Sequence, residues 1–211
     1  PSTSIAAMAK FRDLYKNAAI AGAHEVKFKS MPAGGLTRPN YAKELTSLYP
    51  VTVKKMPLHF IAPRTKDVHK ALSMKDELGF DLVLTEVKQG WHYIDRIKKS
   101  NVQVLLSLEL PEEEKEDEKS AKKDTSSAKE MKKEIKKEQN PEKDQFDKKK
   151  QESIKEYLSQ ASVFEKNGIK FGFSFLNAKP SEIKKSLRRL IENGLSENYA
   201  LAALTTHPAQ M

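Results

Sequence analysis

Cysteine is absent from this chain of 211 residues. Its absence excludes disulfides, thiolate metal sites and cysteine nucleophiles, and it leaves the compartment open, because proteins of reducing and oxidising compartments alike can lack it. No apolar run approaches the ~20 residues of a membrane span, and no stretch reads as a signal segment. The expectation is a soluble chain with no membrane partner and an unassigned location. Charge of a single sign is also scarce. The net charge is +9, yet residues 111–150 hold thirteen acidic and thirteen basic residues, and elsewhere Lys and Arg are mixed with Glu and Asp on helical patterns. A nucleic-acid surface asks for a one-sign patch interleaved with aromatics or Gly. No nucleic-acid partner is expected.

What is present sorts into three parts. With 38% hydrophobic residues the chain has material for one core plus appendages. The stretch 111–150 has little to bury, since Met131, Ile135 and Phe146 stand nearly alone among Lys and Glu. Burial so sparse does not offset an ordering cost of roughly 1–2 kcal/mol per residue, so this stretch is expected to be a charged flexible insertion. On both sides of it short apolar runs alternate with helical patterns. "MPLHFIA" (Met56 to Ala62), "DLVLTEV" (Asp81 to Val87), "VQVLLSLEL" (Val102 to Leu110) and "IKFGFSF" (Ile169 to Phe175) have strand length and strand residues.

Between these runs "TKDVHKALSMKDELGF" stops on Gly79, "QGWHYIDRIKKSN" carries Trp91, Ile94 and Ile97, and "ESIKEYLSQASVFEKNG" stops on Gly168. "SEIKKSLRRLIENG" starts on Ser181 and stops on Gly194, and "SENYALAALTTHP" starts on Ser196 and stops before Pro208. Strands apolar on both faces and separated by helices specify parallel βα units with right-handed crossovers. Four such units suit a small doubly wound sheet or half of an eight-stranded barrel, and periodicity does not choose between them. The first fifty residues give an Ala-rich helix with Ile5, Met8, Phe11, Leu14 and Tyr15 along one side, a Gly/Pro loop, and a short helix closing on Pro50. The chain opens on Pro1 and ends on Met211 in mid-phrase, so a piece of something longer is expected.

A resemblance chooses between the two folds. From about Arg38 to Met211 the order of motifs resembles the C-terminal half of a metal-dependent amidohydrolase barrel of the imidazolonepropionase-related kind. "MPLHFIAPRTKDVHKALSMKDELGFDLVLTEVKQGWHYIDRIKKSNVQVLL" is similar to that family's fifth, sixth and seventh βα units. "FEKNGIKFGFSFLNAKPSEIKKSLRRLIENGLSENYALAALTTHPAQM" is similar to the eighth unit and the helix after it, with "LIENGLSENYALAALTTHPAQM" the most specific phrase. The implied fold is α/β, namely strands 5–8 of a (β/α)8 TIM-like barrel carrying a charged insertion. Residues 1–50 would be a helical arm before strand 5, 51–110 units 5–7, 111–150 the insertion, and 151–211 the last helices and strand 8.

The resemblance also implies chemistry. Active members hold one or two divalent ions, zinc or another metal, on a His-x-His pair of the first strand, often a carboxylated Lys of the fourth, a His on each of the fifth and sixth, and an Asp of the eighth. Such ions lower the pKa of bound water to near 7 for hydrolysis of C–N bonds in cyclic or linear amides. Carried over, the fifth-strand His falls on Ile61, the sixth-strand His on Glu86 and the eighth-strand Asp on Leu176. None keeps the family's residue, so no catalytic residue, metal ligand or cofactor is expected in this chain. The remaining polar residues of the mouth would be Arg64, Glu86, Lys88 and Asn177. His59, two residues before Ile61, shares its face and reads as a core histidine, and Leu82, Leu84, Gly172 and Ser174 read as inward-facing. Three readings stay open: a barrel that has lost its metal and holds structure or a ligand, part of a working hydrolase with ligands from the missing half, and a charged interaction module. The expected partner is the missing half of its own barrel or a second copy of itself.

Overall fold

A computed structural model of the chain describes residues 3–31, 34–39, 42–111 and 141–211. The expected insertion falls largely on 112–140 and so lies outside the described residues. Helix α1 spans Ser4–Ser30, with Thr3 as N-cap accepting the Ala6 amide at 3.2 Å. After it come α2 (Lys43–Thr46) and α3 (Tyr49–Thr52), then β1 (Leu58–Ile61), α4 (Thr65–Leu78), β2 (Leu82–Val87), α5 (Ile94–Lys99) and β3 (Gln103–Ser107). The remainder is α6 (Pro141–Lys166), β4 (Phe171–Ser174), α7 (Ile183–Glu192), α8 (Glu197–Leu204) and α9 (Thr206–Ala209).

Single 3₁₀ turns at Trp91–Tyr93 and Pro180–Glu182 lead into α5 and α7, so Ser181 sits inside a turn rather than capping α7. Pro50 stands in the first turn of α3, where its missing N–H costs nothing, instead of closing a helix. The stretch 141–150, assigned by composition to the insertion, forms the first turns of α6. Lys and Glu propagate a helix readily once its far end is packed.

Among the described residues the strands form one sheet in the order β1-β2-β3-β4, all neighbours parallel. Each strand returns beside its predecessor through a helix. The register puts Leu58, Phe60, Leu82, Leu84, Val104, Leu106, Phe171 and Phe173 on the helix-covered face. Helices α4, α5 and α6 cover it through Val68, Leu72, Ile94, Ile97 and Phe164. Helix α1 extends the cover past β1: the Phe11 ring meets Phe60 and Phe80 edge-on at 6.1 and 5.9 Å, and Arg12 pairs with Glu77 at 2.6 Å. Gly79 ends α4 in the left-handed region at φ +76°, which a Cβ would penalise.

The opposite face carries His59, Ile61, Val83, Thr85, Gln103, Leu105 and Gly172. Two expectations are corrected here. Leu82 and Leu84 belong to the helix-covered core, and Val83 and Thr85 take the other face. His59 shares the face of Ile61 but is exposed, with Thr85 Oγ1 3.4 Å from its Nδ1. Four strands do not curl far enough to enclose that side chain.

The two edges differ. The Leu58 and Ala62 amides donate to Asp81 and Thr85 at 2.8 and 2.9 Å, so the intervening amides of His59 and Ile61 point away from β2. On β4, the Ser174 carbonyl accepts from Leu108, which turns the Phe171 carbonyl outward. Helix α9 meets it there with His207 Nδ1 at 3.1 Å, and Pro208 packs beside Gly172. Helix α9 thus covers the start of the β4 edge, while β1 has no such cover among the described residues. An open parallel edge beside an exposed Ile61 is a template for association. The purified chain is expected to self-associate in light scattering as concentration rises. Ile61→Lys, on a side chain 60% exposed, should shift it toward monomer, whereas Leu201→Lys on α8, 63% exposed, should not. A compact monomer at every concentration would refute this.

Candidate functional site at the C-terminal ends of the strands

Chemistry in parallel α/β folds gathers where strands end and loops begin. At that end the β2–β3 register slips between Leu84 and Val87. Glu86 occupies the slip with φ +58°, a left-handed backbone that costs a non-glycine residue about 1–3 kcal/mol. The slip turns its side chain to the face that carries His59 and Thr85, one layer above Thr85. There the side chain is nonetheless 1% exposed, because two serines close over it.

Ser107, the last residue of β3, donates to Glu86 Oε2 at 2.7 Å, and Ser174, the last of β4, donates to Oε1 at 2.5 Å. Each hydroxyl oxygen also faces the amide two residues on, Glu109 N at 3.2 Å and Leu176 N at 3.5 Å. Each serine therefore spends its single proton on the carboxylate and offers a lone pair to its own loop. Asn177 Nδ2 reaches Oε2 at 3.5 Å.

Tyr157 of α6 stands at the rim and donates to the Glu109 carbonyl at 2.9 Å. Burial raises its pKa above the ordinary phenol range. The nearby Ser107 hydroxyl opposes this, and the Glu109 and Glu86 charges add to it. The hydroxyl stays a proton donor across neutral pH. Behind it lies buried Gln160, whose Oε1 accepts the Gly90 amide at 2.7 Å and whose Nε2 donates to the Val87 carbonyl at 3.2 Å. This amide fixes the loop that leaves β2, and Gly90 has no room for a side chain: a Cβ would lie 2.7 Å from Val87 Cγ1 and 3.1 Å from Phe164 Cζ.

The residues singled out by sequence are dispersed. Ile61 stands 60% exposed at the end of β1, and Leu176, 64% exposed, lies two residues beyond β4. Glu86 and Asn177 come together. Lys88 turns to Glu109 at 2.6 Å, and Arg64, in front of α4, faces Asp67 at 3.5 Å. Neither joins Glu86. Sequence reasoning missed Ser107, Tyr157 and Gln160. A signal existed for the serines: each closes an apolar strand at matching register, Ser107 opposite Ser174.

The three positions that the resemblance singles out offer few donors for a metal. Ile61 and Leu176 have no lone pair to give, and both oxygens of Glu86 already accept hydroxyl protons. A catalytic divalent ion ordinarily takes three or more protein ligands. Among the described residues no three His, Cys, Asp or Glu come together as a metal-binding group.

No protein-family model matches the chain, and no curated protein matches it. A solved structure described as an amidohydrolase from Thermotoga maritima MSB8 superposes with a TM-score of 0.67 at 15% identity, over 100% of this chain and 45% of that one. The likeness is one of fold: the four-stranded parallel sheet is compatible with half of a TIM-like barrel. The chain spans less than half the length of that neighbour. Among the described residues no helix is long and apolar enough to cross a membrane.

The loop after β2 supplies the test of this geometry. Gly90→Ala should destabilise the fold by about 1–3 kcal/mol through overpacking, and Gln160→Leu by about 1–3 kcal/mol through two backbone groups left unpaired. Because the sites touch, the double variant should cost less than the sum in urea unfolding. Additive losses would contradict the packing described.

Proposed function

We propose that this chain is the C-terminal half, strands 5–8, of an amidohydrolase-like barrel of the imidazolonepropionase-related kind, in which these strand ends have given up the metal. It serves as a structural or ligand-holding module rather than hydrolysing C–N bonds. The observation that carries the reading is the state of Glu86. Its position is that of the sixth-strand ligand by resemblance, and its carboxylate oxygens are taken by Ser107 and Ser174. The shared fold over 45% of the Thermotoga neighbour supports the half-barrel part. The alkyl groups of Ile61 and Leu176 support the loss of the ion, since apolar surroundings leave a divalent cation poorly solvated.

The partner in this reading is the other half of the barrel, or a second copy, meeting the sheet along β1 and across the face of His59 and Ile61. The exposure of those two residues supports it. Metal analysis of the purified chain tests the function. Zinc, iron and manganese together are expected below about one-tenth equivalent, with no hydrolysis of linear or cyclic amides above background. Ile61→His, Glu86→His and Leu176→Asp combined should restore neither, because a His-x-His strand is not among these residues. Stoichiometric metal lost on Glu86→Ala would overturn the reading and favour part of a working hydrolase.

A further inference from the structure

Buried, left-handed Glu86 touches the ends of β3 and β4 as well as its own strand. Its Oε2 joins Ser107, its Oε1 joins Ser174, and Asn177 approaches from the turn after β4, in which Ala178 donates to Phe175 at 3.3 Å. We infer that Glu86 is a positioning residue that couples two loops: its carboxylate holds the Leu108–Leu110 segment and the Phe175–Ala178 strap in one arrangement over the C-terminal end of the sheet. The inference rests on the geometry of this chain and holds whether or not the half-barrel once bound metal.

Three features carry it. A left-handed backbone at a glutamate persists only where its surroundings over-determine it, and two short hydroxyl bonds from different strands supply that. Each serine passes the constraint onward, because the lone pair left on its oxygen faces the loop amides of Glu109 and Leu176. The contacts are also graded. Ser107 and Ser174 bond at 2.7 and 2.5 Å, whereas Asn177 stands at 3.5 Å and Phe175 and Leu176 are 45% and 64% exposed. The strap is therefore the part released first when the carboxylate lets go.

Amide hydrogen exchange resolved to single residues reads the coupling. Ser107→Ala should speed exchange at Glu109 alone, and Ser174→Ala at Leu176 alone. Glu86→Ala should speed both together, by roughly ten- to a hundredfold, the range for losing a buried charged hydrogen bond. Glu86→Gln, whose amide can accept from one serine and donate to the other, should keep both loops protected, a retention that separates the side-chain hydrogen bonds from the charge. Should Glu86→Ala fail to fold, the two serine variants and Glu86→Gln decide. Release of both loops in Glu86→Gln, unchanged exchange at Glu109 in Ser107→Ala or at Leu176 in Ser174→Ala, or simultaneous release in either serine variant, would overturn the inference. Chelator added to the unmodified chain should leave both amides unchanged. Release by chelator would mean that an ion, not the carboxylate, couples the loops.

Discussion

A parallel sheet built from βα units must be covered on both faces, since its strands are apolar on both and only its helices lie at hand to cover them. The arrangement of this chain follows from meeting that requirement on one side. Helices α1, α4, α5 and α6 close over one face and draw Phe60, Leu84, Val104 and Phe171 into a continuous core. The other face has Pro208 and Ala203 beside Gly172 and otherwise relies on its own side chains. Its polar character at the C-terminal end, with Glu86, Ser107 and Ser174, is what makes that end self-sufficient, while Ile61 and His59 at the β1 edge are not.

The fold was largely legible because each element announced itself locally. The four apolar runs became the four strands, Gly79 stopped α4, and Ser196 capped α8 by accepting the Tyr199 amide at 3.2 Å. What periodicity did not carry was which face of a fully apolar strand looks inward. "DLVLTEV" has no polar alternation to orient it, so Leu84 and Val83 were interchangeable until the register with Phe60 and Val104 settled them. Boundaries set by composition failed for a related reason: residues 141–150 look unburiable, yet they continue a helix whose packed end lies further on, at Leu158 and Phe164.

The site was legible in one residue and hidden in its partners. Glu86 stood out because the resemblance places the sixth-strand ligand there. What holds its carboxylate, two serines from other strands, depends on a register slip that no local pattern encodes. Tyr157 reads as part of the apolar pattern of its helix and Gln160 carries no signal of its own, and only the arrival of α6 beside the ends of β2 and β3 gave them partners.

The cluster around Glu86 is also hard to change one residue at a time. Each hydroxyl there turns its proton toward the carboxylate, so replacing Glu86 by an aliphatic side chain leaves two donors without their acceptor in a dry place. Removing either serine leaves one carboxylate oxygen short of a donor, so the three side chains tolerate change together better than singly. The exposed residues of the rim, Phe175 and Leu176 among them, carry no such mutual constraint.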